Sequence, residues 1–284
     1  MSSNRCLLLV CGLYFFIFTC ASSIVDGSVL TIDLARLLES KGYSAETPEQ
    51  LLEATRSRSY PIRHIALELL TQRIRHKAIP VLREALDDAR MEVRWRAAHL
   101  LGTLGDKSGL ERMRQDLREF APNNGRPAPP DPNVTSLSEK KERERKRNLG
   151  LSYALRAAKV LAELGDCRGY ELAVRMALQG EKSYHKIKAI DALVEIAKIN
   201  EEILARENKD PASVLCVMAE SEKDQGIFSV LTGSVTQLRG NIAIRILQTA
   251  MDSPYQSEEM RKLTELRLEK VRAIMKAASN KAND

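Results

Sequence analysis

The chain contains a pattern that returns at a fixed spacing. Residues 62–70 (IRHIALELL) are matched 31 positions later by residues 93–101 (VRWRAAHLL). A repeat length in the thirties is typical of stacked helical hairpins, in which no unit can bury its apolar stripe without a neighbour. This period therefore predicts an all-α fold made of helical repeats.

The apolar residues of each unit have helical spacing. In residues 62–70 they recur at intervals of three, four and seven positions, which places them on one face of a helix. Each unit also carries a small residue on this face, which allows adjacent helices to approach closely. These alanines are Ala66, Ala97, Ala157 and Ala189.

A third copy of the pattern follows after an insertion. Residues 157–169 (AAKVLAELGDCRG) match residues 97–109 (AAHLLGTLGDKSG), now at a spacing of 60. The intervening segment 121–133 holds five of the ten prolines and cannot be helical. Residues 139–147 (EKKERERKR) follow it. We therefore expect an exposed loop and then a charged helix that runs into the third repeat.

The patterning divides the chain into segments. Later units are more diverged, and the last long helix is highly charged, as expected of a helix that caps an open stack. The predicted segments are a leader at 1–25, N-terminal helices and repeats at 29–120, a Pro-rich loop and charged insertion at 121–147, repeats at 148–200, diverged repeats with a capping helix at 201–279, and a polar tail at 280–284.

The segment from Val93 to Asp106 follows the pattern Val-Arg-x-x-Ala-Ala-x-x-Leu-Gly-x-Leu-Gly-Asp. It resembles the HEAT repeat, and most closely the short subtype of phycobilisome-lyase-like proteins. The resemblance covers residues 60–119 and 153–178 most clearly. It implies a right-handed α-solenoid of about five helical hairpins. It implies no activity, because repeats of this kind serve as scaffolds, adaptors and lyases alike.

The first 25 residues differ from the rest. A basic start precedes the apolar residues 6–18, and small or polar residues follow. This order is typical of a secretory signal peptide, with cleavage after Ala21 or Ser23. In the alternative, an apolar segment extended to Val25 is just long enough to stay as a membrane anchor. Both interpretations predict export across the cytoplasmic membrane to a periplasmic or other extracytoplasmic location.

Basic residues recur beside the helical stripes, together with the single tryptophan. One hypothesis is that these basic residues form a row along one surface that binds acidic protein segments. The other is that they form interhelical salt bridges or are solvated charges. The tryptophan is either an exposed binding residue or one that packs on a neighbouring layer. The candidate partner-binding residues are Arg63, Arg94, Trp95, Arg96, Arg156, Lys186 and Lys188.

No catalytic motif stands out. The chain has no Gly-x-Ser-x-Gly, no phosphate-binding glycine loop, no dinucleotide fingerprint and no histidine or cysteine pair at metal-ligand spacing. We therefore predict no catalytic residue, cofactor or metal. A net charge of +6 is small beside 44 basic and 38 acidic residues, so nucleic acid is a poor candidate partner.

The predicted function is a non-enzymatic scaffold or adaptor that binds protein partners. An anionic membrane surface is a second candidate partner. The resemblance to phycobilisome-lyase-like repeats implies an alternative, a lyase-like or chaperone-like protein that handles a prosthetic group.

Overall fold

The computed structural model describes residues 28–126 and 136–283. The predicted leader, residues 1–25, and part of the Pro-rich loop, residues 127–135, lie outside them. Within the described ranges all regular structure is helical, and there is no β-strand, which confirms the predicted all-α repeat fold. These two ranges also contain no helix with the length and hydrophobicity that crossing a membrane requires.

The chain forms two compact units that divide between Ala78 and Ile79. In the first unit α3 packs against both preceding helices. Its core is apolar and includes Leu38, Leu51 and Leu70, each almost fully buried. The elements of this unit are α1 (Ser28–Glu39), α2 (Pro48–Ala54), α3 (Tyr60–Ile74) and a 3-10 turn at Arg75–Ala78.

The second unit is a series of helices, most of which contact a neighbour along the chain and a helix of the next pair. For example, α7 contacts α5, α6, α8 and α9. This is the layered packing expected of stacked hairpins. The helices are α4 (Ile79–Glu84), α5 (Met91–Thr103), α6 (Ser108–Phe120), α7 (Leu137–Glu163), α8 (Tyr170–Gln179), α9 (Ser183–Ala197), α10 (Glu201–Arg206), α11 (Pro211–Ser221), α12 (Gln225–Ser234), α13 (Gly240–Asp252) and α14 (Glu258–Asn283).

Two of the turns that join helices are built identically. Gly105 and Gly165 have φ angles of +78° and +80°, the left-handed conformation that glycine adopts without a steric penalty. In each turn the next residue, Asp106 or Asp166, donates its backbone N–H to a leucine carbonyl five residues earlier at 2.8 Å. These bonds satisfy carbonyl groups at the ends of α5 and α7.

The second helix of each hairpin then passes very close to the first. A Cβ atom placed on Gly109 would lie 2.7 Å from the Cα of Ala98, and one placed on Gly169 would lie 2.7 Å from the Cα of Ala158. These distances are too short for any side chain. Glycine at these two positions therefore allows the close packing of α6 on α5 and of α8 on α7.

α7 is longer than the other first helices because it includes the charged insertion. It has 27 residues, whereas α5 has 13 and α9 has 15. In the repeat register Leu151 corresponds to Met91, where α5 begins, so residues 137–150 extend α7 by about 21 Å at 1.5 Å per residue. We call residues 137–150 the arm. All its side chains from 137 to 147 are exposed.

Candidate partner-binding surface

Three of the predicted residues occupy the same position in three successive first helices. Arg96 of α5, Arg156 of α7 and Lys188 of α9 align in the repeat register, and each is partly exposed. α7 contacts both α5 and α9. The guanidinium carbon of Arg156 also lies 5.8 Å from the centroid of the Trp95 ring. We call the side chains of Arg96, Arg156 and Lys188 the basic row.

Burial weakens the hydration of this row. Partial burial, followed by the nearby charge of Arg156, lowers the pKa of Lys188 to about 8, and the charge of Asp191 opposes the shift. Burial also lowers the pKa of Arg156, against the opposing charges of Glu92 and Tyr153. Arg156 and Lys188 are therefore partly desolvated cations that repel each other, and an added carboxylate would stabilise them.

Carboxylates lie next to the row on the same helices. The Nδ1 atom of His99 is 2.8 Å from the carboxylate of Glu163, which also pairs with Lys159 at 3.8 Å. Burial raises the pKa of Glu163, but the bond to His99 and the charges of Lys159 and Arg96 outweigh it, so the net shift is downward. The side chains next to the basic row, His99, Lys159 and Glu163, are thus a mixture of acidic and basic groups.

Arg94 and Trp95 are buried, with only 7% and 6% of their surface exposed. Both contact the fully buried carboxylate of Asp116 on α6. The indole Nε1 of Trp95 donates to it at 3.1 Å, and the guanidinium of Arg94 lies 3.4 Å away. Arg112 adds a third contact to Asp116 at 3.3 Å. This arrangement, which we call the Asp116 cluster, joins α5 to α6, so the burial favours the packing alternative for Trp95.

The recurring arginines Arg63 and Arg94 share a contact with the backbone. Arg63, in the first unit, donates from Nη1 to the carbonyl of Ser57 at 2.8 Å. Arg94 donates from Nη1 to the carbonyl of Asp88 at 3.0 Å. In both cases the carbonyl lies six residues earlier, in the loop before the helix. The repeated arginine therefore ties α3 and α5 each to its preceding loop.

Lys186 faces a different neighbour. Its ammonium group lies 2.8 Å from the carboxylate of the buried Glu222. Glu222 also accepts the backbone N–H groups of Lys223 and Asp224 at 3.0 Å. Lys186 thus holds the loop between α11 and α12 against α9, whereas only Arg96, Arg156 and Lys188 form the basic row.

Two salt bridges that recur with the repeat were not among the predicted residues. Arg83 contacts Asp106 at 2.6 Å, and Arg114 contacts Asp166 at 2.6 Å. The arginines are 31 residues apart, one repeat period, so the spacing alone could have indicated them. Asp116 carries no such signal, because Ala85 stands one period before it.

Comparison with known proteins gives one family match. The sequence profile for HEAT repeats matches residues 48–125. No curated protein matches the chain. A crystal structure of an engineered protein is similar at 17% identity over 86% of this chain and 96% of its own, with a TM-score of 0.33, which supports no statement about a shared fold. Residues 48–125 therefore contain HEAT repeats.

Proposed function

We propose that the protein is a non-enzymatic interaction scaffold, and that the surface formed by α5, α7 and α9 binds another protein. The HEAT match supports this, because stacked helical repeats generally bind other proteins along an extended surface. The observation that carries the proposal is the basic row, in which one position of three successive layers holds a partly exposed cation.

The row indicates the chemistry of the partner. Packed helices lie about 8–10 Å apart, so cations on successive layers have about that separation. An extended segment in the polyproline II conformation has three residues per turn and rises about 3.1 Å per residue, so carboxylates at every third residue lie on one face about 9 Å apart and match the spacing. The proposed partner segment is therefore an acidic, extended stretch of protein that crosses the helices and meets one cation per layer.

Affinity purification from native cells tests the proposal. We compare the wild type with a row variant, Arg96→Gln with Arg156→Gln and Lys188→Gln. The matched control removes three exposed cations elsewhere, by Lys107→Gln with Arg118→Gln and Arg168→Gln. Quantitative mass spectrometry should show the same proteins with the wild type and the control, and their loss with the row variant.

Three results would contradict the proposal. They are equal losses from both variants, no reproducible partner, and a turnover activity that depends on the row. A pH series adds a further check. With a pKa of about 8, Lys188 loses its charge as the pH rises through 8, so binding should weaken there, whereas Lys188→Arg should remain charged and bind on the alkaline side.

The proposed scaffold is exported or tethered through residues 1–25. The support for this is the order of a basic start, an apolar run and small residues in the sequence. Mass spectrometry of the protein from its native cells should find an N-terminus at Ser22 or Ile24 after cleavage. An intact Met1 in the membrane fraction would indicate an anchor, and an intact Met1 in the soluble cytoplasm would contradict export.

The alternative implied by the subtype resemblance is a lyase-like or chaperone-like protein that handles a prosthetic group. It remains a prediction. The visible absorbance of the purified protein after incubation with free tetrapyrroles distinguishes it from the scaffold, because a bound pigment would comigrate with the protein in gel filtration.

A further inference from the structure

The arm carries four exposed side chains along one face. Leu137, Lys141, Arg145 and Leu149 follow one another at intervals of four residues, so they lie in a row on the helix surface. Leu137 is 68% exposed and Leu149 is 49% exposed. We call this set the arm stripe; it has two cations in its middle and an apolar side chain at each end.

A groove runs beside the arm stripe, between α7 and α9. Its volume is about 510 Å³. Tyr184 of α9 forms part of its wall and is 44% exposed. The lining residues are Lys141, Glu144, Arg145, Asn148, Leu149, Ser152 and Tyr184.

The base of the arm is fixed to α9. The Nε2 atom of His185, which is only 3% exposed, lies 2.9 Å from the carbonyl oxygen of Asn148. The ring of His185 also lies 4.2 Å from the ring of Tyr184. The groove is therefore held by a hydrogen bond and a ring contact, and Tyr184 keeps a defined position beside Leu149.

The groove has an excess of positive charge. Among the described residues, no carboxylate lies within salt-bridge distance of Lys141, and Arg145 has only Glu142 at 3.7 Å. The lining carboxylate, Glu144, is already paired with Lys182 at 3.7 Å. An acidic ligand would therefore find two exposed cations between two apolar contacts.

We propose that the arm stripe and Tyr184 bind an acidic helix of a protein partner. This helix would present two carboxylates four residues apart, between two apolar side chains. A helix fits better than an extended strand because it satisfies its own backbone hydrogen bonds, whereas the groove offers only side chains. The inference goes beyond the scaffold proposal, since the arm stripe and the basic row are different surfaces.

The distribution of charge and apolar groups favours a protein over other anions. Glutamates alternate with the cations of residues 139–147, and a continuous phosphate backbone would meet them as well as the cations. Leu149 and Tyr184 stand at the base of the arm, where a flat membrane that touched the tip would not reach them together.

The test uses a fluorescein-labelled helical peptide of about four turns with the order Leu, Glu, Glu, Leu at four-residue intervals. Fluorescence polarisation should detect binding to the full chain. Lys141→Glu with Arg145→Glu should weaken binding about tenfold, because two partly exposed ion pairs are lost. A peptide with lysines in place of the glutamates should bind this variant better than it binds the wild type.

The matched control is Arg143→Glu with Lys146→Glu, an equal charge change on the opposite face of the arm, and it should leave affinity within about twofold. Circular dichroism verifies that both variants fold. Absence of peptide binding, equal weakening by the control, or tighter binding to phosphatidylserine vesicles or single-stranded DNA would overturn the inference. Because the basic row is unchanged in these variants, failure here leaves the scaffold proposal standing.

Discussion

The turns at Asp106 and Asp166 and the Asp116 cluster are two ways in which this fold uses an aspartate. Each turn aspartate closes a helix end and forms a salt bridge with an arginine of another helix, and the arrangement occurs twice. Asp116 is fully buried, contacts three side chains, and occurs once. Repeated contacts distribute stability over the layers, whereas the single cluster concentrates it at one joint between α5 and α6.

The largest expected effect in this comparison comes from Asp116→Ala. The change leaves a buried arginine and an indole N–H without their acceptor, which costs about 3–5 kcal/mol in the free energy of unfolding. Trp95 is the only tryptophan, so its fluorescence in a urea titration reports this joint directly. Asp116→Asn keeps an oxygen for the indole and should lose less. A loss under about 1 kcal/mol from the alanine variant would show that the cluster carries little stability.

The glycines at the close helix contacts, Gly109 and Gly169, should give the next largest effect on stability. Gly109→Ala and Gly169→Ala each place a Cβ against the backbone of the facing helix, at a cost of about 1–3 kcal/mol. If the two close helix contacts are equivalent, thermal melts should show similar losses. Gly233→Ala is the control, because its Cβ would meet only the end of the Arg267 side chain at 3.3 Å. A loss from the control as large as from the other two would remove the packing explanation.

Double-mutant cycles should separate the two turn salt bridges. Arg114 uses both Nε and Nη2 on Asp166, at 2.8 and 2.6 Å, and its side chain is 24% exposed. Arg83 is 58% exposed and makes one contact with Asp106. We expect a coupling energy of about 1 kcal/mol for the first pair and less for the second. The reverse order would show that exposure does not control the strength of these bridges.

The smallest expected effect is a dependence on acid pH. Hydrogen bonds from the Ser108 side chain and backbone, followed by Arg83, hold the pKa of Asp106 below its usual value. The folded-state pKa is below the unfolded one, so this contribution is complete above about pH 4 and is lost as the pH falls through the folded value. Wild type and Asp106→Asn should therefore converge in stability below pH 4. A constant difference down to pH 2 would contradict this.

The repeats were predictable because they obey a period. Ala66, Ala97, Ala157 and Ala189 were expected at helix contacts, and each has no exposed surface. The turn salt bridges follow the same period and could also have been predicted. The three residues of the basic row were predicted as part of a longer set of candidate partner-binding residues. The other members of that set, Arg63, Arg94, Trp95 and Lys186, make different contacts in the structure.

Features that occur once had no comparable signal. Asp116 looks like any surface aspartate in the sequence, because its burial depends on contacts with α5. The segment between Gly226 and Gly233 has no clear stripe, yet it forms α12. Its helix begins because the carboxylate of Asp224 accepts the backbone N–H groups of Gly226 and Ile227 at 2.8 and 3.1 Å. Such local caps decide structure without a periodic pattern.

The continuity of the arm with α7 has a mechanical consequence. Because one uninterrupted helix joins the projecting residues to the packed third repeat, a tilt of that layer moves the tip as a lever would. For a length of about 21 Å, a tilt of about 5° displaces the end by about 2 Å. Bending of the stacked layers would therefore change the position of the tip of the arm and of any partner bound there.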